Sequence, residues 1–247
     1  MSLKDPNRAS RTPKRVALVI ANPAVSTTTG WPVGFWWAEL THPYYVFTEK
    51  GYEVELFSPD GGKCEADAMS DPSDASGYSA SDLISQGFIH TPALRALVDA
   101  TKPISALRVD AFDALVVAGG QAPMFTFEQA TALQRTFAAF YEAGKVTAAL
   151  CHGTAILAFA RLSNGELLVK GRTVTGFANV EEDFGDAAVG TRIMPFRVED
   201  ELRARGANYV QAGLFKAFAI RDQNLITGQQ QYSGTRVAEL VVAALGV

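Results

Sequence analysis

Cysteine is nearly absent from this 247-residue chain. Two residues, Cys64 and Cys151, cannot build a disulfide framework and are expected as reduced thiols in a cytoplasmic protein. Histidine is as scarce: His42, His90 and His152 share no metal-ligand spacing, so no metal is expected. Positive charge is outnumbered, with 22 Lys and Arg against 26 Asp and Glu and a net charge of −4. With neither a basic arm nor a basic helix, nucleic-acid binding is excluded. No apolar run reaches the ~18 residues of a membrane span. The charged start, residues 1–14, is expected as a loose tail. It is not read as a secretory leader, because VALVIANP behind it is short and turns polar at once. Neither a dinucleotide fingerprint nor a phosphate loop occurs, so no nucleotide or other cofactor is expected.

What is present is core-forming. Hydrophobic residues make up 48% and charged residues 19% of the chain, enough to bury a large core over residues 15–247 as one domain. Arg15–Asn22, Glu53–Ser58, Ala114–Ala118 and Val146–Leu150 are short runs apolar on both faces, separated by helical patterns. That alternation predicts a doubly wound parallel sheet with helices on both faces. Helices are expected from Trp36 to Gly51 with a kink or break at Pro43, over Phe127–Gly144, Thr154–Arg161 and Pro195–Gly206, and over Ser233–Leu245. Phe215–Arg221 and Leu225–Gln229 read as a small β-hairpin. The Asp-, Ser- and Gly-rich segment 61–92 reads as an insertion of small helices over one end of the sheet.

The most informative segment is VTAALCHGTAIL, Val146–Leu157. A strand running straight into Cys151-His152-Gly153 and then a helix makes a tight turn that strains its central residue and presents the side chain as a nucleophile elbow. Free N–H groups of the following helix are expected to lower the thiol pKa and yield a thiolate. Gly153 permits close approach of the chain. His152 either works in catalysis with an orienting carboxylate or only shapes the site. After the strand ALVVA, Gly119-Gly120-Gln121 offers backbone N–H groups at the carboxyl end of the sheet, where they can serve as an oxyanion hole. Glu39 lies at the edge of the helical apolar stripe. It is either an exposed helix glutamate or a buried acid whose raised pKa lets it share a proton with the sulfur.

Together these residues resemble the DJ-1/PfpI superfamily, which has a flavodoxin-like, class I glutamine amidotransferase-like fold with a cysteine elbow. Within it they are most similar to the glyoxalase III group, which includes heat-shock holding chaperones. The resemblance rests on GFWWAELTHPY, GYEVELFSPDGG, FDALVVAGG, ALCHGTAI, VTGFANVEE and LITGQ, in that order along the chain. It implies Cys151 as nucleophile, Glu39 as the acid/base beside it and His152 as the triad histidine. Glu182 is implied as its acidic partner, with Glu181 and Asp183 as alternatives. It further implies oxyanion donors at Gly120 and the His152 N–H, a homodimer, and conversion of methylglyoxal to D-lactate without glutathione. Three departures fall near the expected pocket and leave other small carbonyls open as substrates. Gln121-Ala122 replaces His-Gly, Thr154 replaces Pro, and Gln230-Gln231 replaces Asn-Pro.

Two other functions fit the same residues. A redox sensor or holding chaperone would use an oxidisable thiolate and an aromatic patch of Trp31, Phe35, Trp36 and Trp37, unless those rings are core. A cysteine hydrolase, either peptidase-like or adding water to an isonitrile, would use the same elbow.

Overall fold

A computed structural model describes residues 13–246; most of the tail expected over 1–14 lies outside them. Seven strands form one sheet: β1 (Arg15–Val19), β2 (Glu53–Ser58), β3 (Lys102–Pro103), β4 (Ala114–Val117), β5 (Val146–Leu150), β6 (Ala219–Asp222) and β7 (Leu225–Gly228). Their order is β6-β7-β5-β4-β1-β2-β3. Every pairing is parallel except the β6–β7 hairpin, which turns at Gln223 in the left-handed region.

Strand periodicity sorts the apolar residues into two cores. Val16, Leu18, Val116, Ala148 and Leu150 face one side, against Leu40 and Phe47 of helix α1 (Trp37–Glu49). Ala17, Val19, Leu115, Val117 and Ala149 face the other, against Leu133, Phe137 and Phe140 of the helix Thr131–Glu142. The C-terminal helix Gly234–Leu245 joins α1 on its face through Val237 and Val241. Because β1, β4 and β5 are covered on both sides, their carboxyl ends are the natural place for a site.

Several expected boundaries move. Helix α1 runs unbroken through Pro43, which is buried. The helix expected over 127–144 is shorter, Thr131–Glu142, and a separate short helix, Pro123–Thr126, precedes it. The expected helix 154–161 is instead a 3-10 turn, Cys151–Ala155, followed by only Ile156–Phe159 as α-helix. The tighter turn follows from Gly153, where an added Cβ would lie 2.6 Å from the Ala118 carbonyl oxygen. The chain must coil narrowly to fit that approach.

Segment 61–92 contains the short helices Ala68–Ser70 and α2 (Leu83–Ile89). Asp82 caps α2 by accepting from the Ser85 N–H, and it also pairs with His42 of α1 at 2.9 Å. His42 therefore anchors the insertion. Cys64 is buried near the Thr101 hydroxyl, a packing position. Among the described residues no helix is long and apolar enough to cross a membrane, and no cluster of His, Cys, Asp and Glu could hold a metal ion.

Candidate active site

Cys151 directly follows β5 with φ +55°, a left-handed conformation rare for a side-chain-bearing residue and therefore strained. Thr154, where the family pattern has Pro, donates its hydroxyl to the Cys151 carbonyl at 2.6 Å and ties the elbow down. The sulfur is not openly exposed: Cys151 retains 3% of its accessible surface.

Glu39 lies on the first turn of α1 and is fully buried, so the exposed-glutamate alternative falls. Its Oε2 accepts the Gly119 N–H at 2.7 Å. Its Oε1 has no well-aligned hydrogen-bond partner, and the Cys151 side chain is the neighbour that meets the carboxyl. A Cβ on Gly119 would lie 2.8 Å from Glu39 Oε2 and 2.9 Å from Cys151 Cβ, so acid and thiol close around a position only glycine can occupy.

Burial pushes the Glu39 carboxyl up to about 8. Contacts with Cys151 and the Gly119 N–H oppose that shift, and Asp67 adds to it. Burial, reinforced by Glu39, likewise pushes the Cys151 thiol well above its usual range, with the His152 backbone N–H acting in the opposite direction. This corrects the expectation of a thiolate made by a helix terminus. The element after Cys151 is a 3-10 turn with a four-residue α-helix behind it, too short for a strong dipole. Two buried anions side by side repel, so the pair retains a shared proton.

His152 is buried, with its Nδ1 3.9 Å from the Cys151 sulfur and its Nε2 3.0 Å from Glu182 Oε1. Phe177 stacks on the imidazole at 4.1 Å between centroids. The neighbouring acids are engaged elsewhere. Glu181 accepts from the Ala178 and Phe215 N–H groups and the Gln229 amide, while Asp183 pairs with Arg197. Of the three alternatives, Glu182 is the one that touches His152.

The glycine turn divides its N–H groups. Gly119 gives its own to Glu39, and Gln121 gives its own to Asp67 Oδ2 at 2.7 Å, so neither is open to an oxyanion. Gly120, at φ +99°, packs so tightly on Gly34 and Phe35 that a Cβ would lie 2.5 Å from the Phe35 backbone. Its N–H donates to no group among the described residues. Of the N–H groups around the sulfur, that leaves Gly120 without an acceptor among the described residues and His152 facing the sulfur itself.

Asp67 escaped the sequence reading. It is buried in the insertion and also accepts the Gly34 N–H at 2.8 Å, joining the loop before α1 to the glycine turn. Burial lifts its carboxyl to about 7, while the two backbone N–H groups and His152 act to lower it. Its only sequence signal was membership of a long irregular loop, since an Asp between two alanines carries no motif. The aromatic patch is not a surface: Phe35 and Trp37 are core, and only Trp31 is well exposed.

The DJ-1/PfpI family model matches residues 33–244. A probable glutathione-independent glyoxalase of Schizosaccharomyces pombe, hsp3103, is 30% identical over 236 residues, covering 86% of this chain and 90% of its own. The crystal structure of glyoxalase III from Candida albicans superposes with a TM-score of 0.76 at 27% identity, over 94% of this chain and 97% of the other. The Francisella tularensis Rapid Encystment Protein 24 kDa superposes with a TM-score of 0.85 at 26% identity, over 95% of this chain and all of its own. By sequence and by fold, the chain belongs to the DJ-1/PfpI family.

Proposed function

We propose that the protein is a glutathione-independent glyoxalase acting on small 2-oxoaldehydes through Cys151 and Glu39. The observation that carries this reading is the buried thiol–carboxyl pair beside the Gly120 N–H and the Cys151–His152–Glu182 chain.

In the reactive form the pair holds one proton. The sulfur adds to the aldehyde carbon, and the resulting alkoxide takes the proton from Glu39, giving a hemithioacetal. Glu39, now a carboxylate, removes the hydrogen from that carbon, and the enediol is reprotonated at the adjacent carbon. The product is a thioester, with the aldehyde carbon oxidised and the ketone carbon reduced by the same electron pair. Water, activated by His152 held by Glu182, cleaves the thioester to the 2-hydroxy acid and the free thiol. Negative charge on oxygen develops at addition and at hydrolysis, where Gly120 and His152 N–H groups act.

The departures Gln121 and Gln230 each leave a buried polar atom, Oε1 and Nε2, without a hydrogen-bond partner. Such atoms are costly unless water or substrate meets them. Both cysteines are free, which suits the reducing cytoplasm expected for the protein. The homodimer belongs to the same reading and is tested by sedimentation.

Loss of methylglyoxal with formation of D-lactate is the direct assay. Cys151→Ser and Glu39→Gln are each expected to lower kcat/KM by at least ~10³-fold. A wild-type rate no higher than the variants overturns the assignment.

A further inference from the structure

The imidazole of His152 is held by two contacts that flank a single residue. Phe177 stacks on its face at 4.1 Å, and Glu182 meets its Nε2 at 3.0 Å. Ala178 lies between Phe177 and the helix Asn179–Val189 that carries Glu182. The Ala178 carbonyl accepts the Glu182 N–H at 3.1 Å, and the Ala178 N–H donates to Glu181 Oε2 at 2.8 Å. Whatever fixes Ala178 therefore fixes both supports of the imidazole.

Glu181 is buried and bonds to neither the sulfur nor the imidazole. Its Oε1 accepts two further donors, the Gln229 amide at 2.8 Å and the Phe215 N–H at 3.1 Å. Phe215 has φ +49°, so this bond also holds a strained backbone. Gln229 directly follows β7, whose last residue, Gly228, pairs with Leu150, the residue before Cys151. The Gln229 side chain also accepts the Ala212 N–H at 2.8 Å and donates to the Gly213 carbonyl at 2.9 Å. One carboxylate thus ties the turn bearing Phe177 and Glu182 to the strand end beside the sulfur. Its three partners are all donors, so an amide at 181 would turn an NH2 group on at least one of them.

We propose that Glu181 is a positioning residue for thioester hydrolysis: it holds Ala178, and through it the Phe177–His152–Glu182 assembly, in register with Cys151. The proposal rests on the glyoxalase reading above and assigns Glu181 to one step of it. Addition and hydrogen transfer use Cys151 and Glu39. Hydrolysis uses His152: it takes a proton from water as the oxygen bonds to the thioester carbon, and returns it to the sulfur as the C–S bond breaks. A displacement of about 1 Å in such a base can cost about 10²-fold in rate.

The test compares Glu181→Gln with wild type on methylglyoxal. Thioester formation is strongly downhill, so kcat/KM reports the steps up to it, whereas kcat includes its hydrolysis. The variant is expected to lower kcat and KM together by about 10²-fold and to leave kcat/KM within about threefold. A hydroxylamine-sensitive thioester should accumulate on Cys151, seen by mass spectrometry of acid-quenched protein. A fall in kcat/KM as large as that in kcat, or unchanged kinetics, overturns the proposal and leaves the glyoxalase reading standing. A second readout needs no glyoxalase turnover. p-Nitrophenyl acetate transfers its acetyl group to the Cys151 sulfur with release of p-nitrophenol, and water then frees acetate and the thiol. Glu181→Gln is expected to keep the p-nitrophenol burst and to slow the steady phase about 10²-fold; equal slowing of both phases counts against the proposal. Gln229→Met removes the same tether at similar volume, is expected to give the same pattern, and carries the test if Glu181→Gln does not fold. If wild type forms no lactate but Glu181→Gln slows deacetylation alone, the positioning role stands and the glyoxalase reading is overturned. If wild type neither forms lactate nor takes up acetyl on Cys151, both fall.

Discussion

At the scale of single residues, the site is a set of carboxyls held where water is scarce. Glu39 and Asp67 are both buried, and each carries a pKa lifted by that burial. Asp67 touches neither the thiol nor Glu39 by hydrogen bond. It positions the glycine turn through the Gln121 N–H and raises Glu39 through its charge. Asn at this position offers one acceptor for two donors, so Asp67→Asn leaves a backbone N–H unpaired and costs about 1–3 kcal/mol of stability. A packing defect alone would not move a titration. Removing this negative charge should lower the Glu39 pKa, so the acid limb of the pH–rate profile shifts to lower pH while kcat falls on the order of tenfold. An unshifted profile would reduce Asp67 to a structural clamp. In wild type, kcat/KM should rise with pH through about 8, where the thiol–carboxyl pair loses one of its two protons and shares the other in its reactive, singly charged form. Glu39→Gln should abolish that limb.

At the scale of elements, the site exists because three loop ends meet over the carboxyl ends of β1, β4 and β5, and glycines let them meet. Gly153 is one of these joints, with no room for a Cβ against the Ala118 carbonyl. Gly153→Ala must push the elbow away from β4, and an expected loss of ~2–4 kcal/mol in urea unfolding would check this. The same variant should slow Cys151 alkylation or make it non-selective, because the thiol would no longer sit against Glu39. The elbow was legible in the sequence because an apolar strand running into Cys-His-Gly permits few structures. The form of the following helix was not. Whether the chain coils as 3-10 or α there depends on the distance to Ala118, a residue on another strand. The predicted lowering of the thiol pKa failed for this reason: it assumed a full α-helix and open solvent, and the fold supplies neither.

At the scale of the whole molecule, burying acids in the centre couples stability to pH. Glu39 rises from 4.5 to about 8 on folding, so between these values the native state holds a proton the unfolded chain has released. A raised carboxyl contributes its full stability below the unfolded pKa and loses it as pH climbs through the folded one. Asp67, lifted from 3.8 to about 7, acts in the same direction. Wild type should therefore lose stability relative to Glu39→Gln from about pH 4.5 upward. The gap should level off above pH 8 at a few kcal/mol, read from urea unfolding at pH 5, 6.5 and 8. A gap independent of pH would mean that Glu39 is not the acid described here.

The sequence alone determined the doubly wound architecture, since runs apolar on both faces can be satisfied only between two helical layers. It also determined the elbow at Cys151, since local strain at a strand end depends on neighbours in the chain. Tertiary structure decided the electrostatics. Glu39, Asp67 and Cys151 are far apart in sequence, and their proton affinities arise from mutual distance and lost solvent, which no local pattern encodes. It also decided the choice of Glu182 from three consecutive acids, because helix phase and the partners of Glu181 and Asp183 set which carboxylate faces His152.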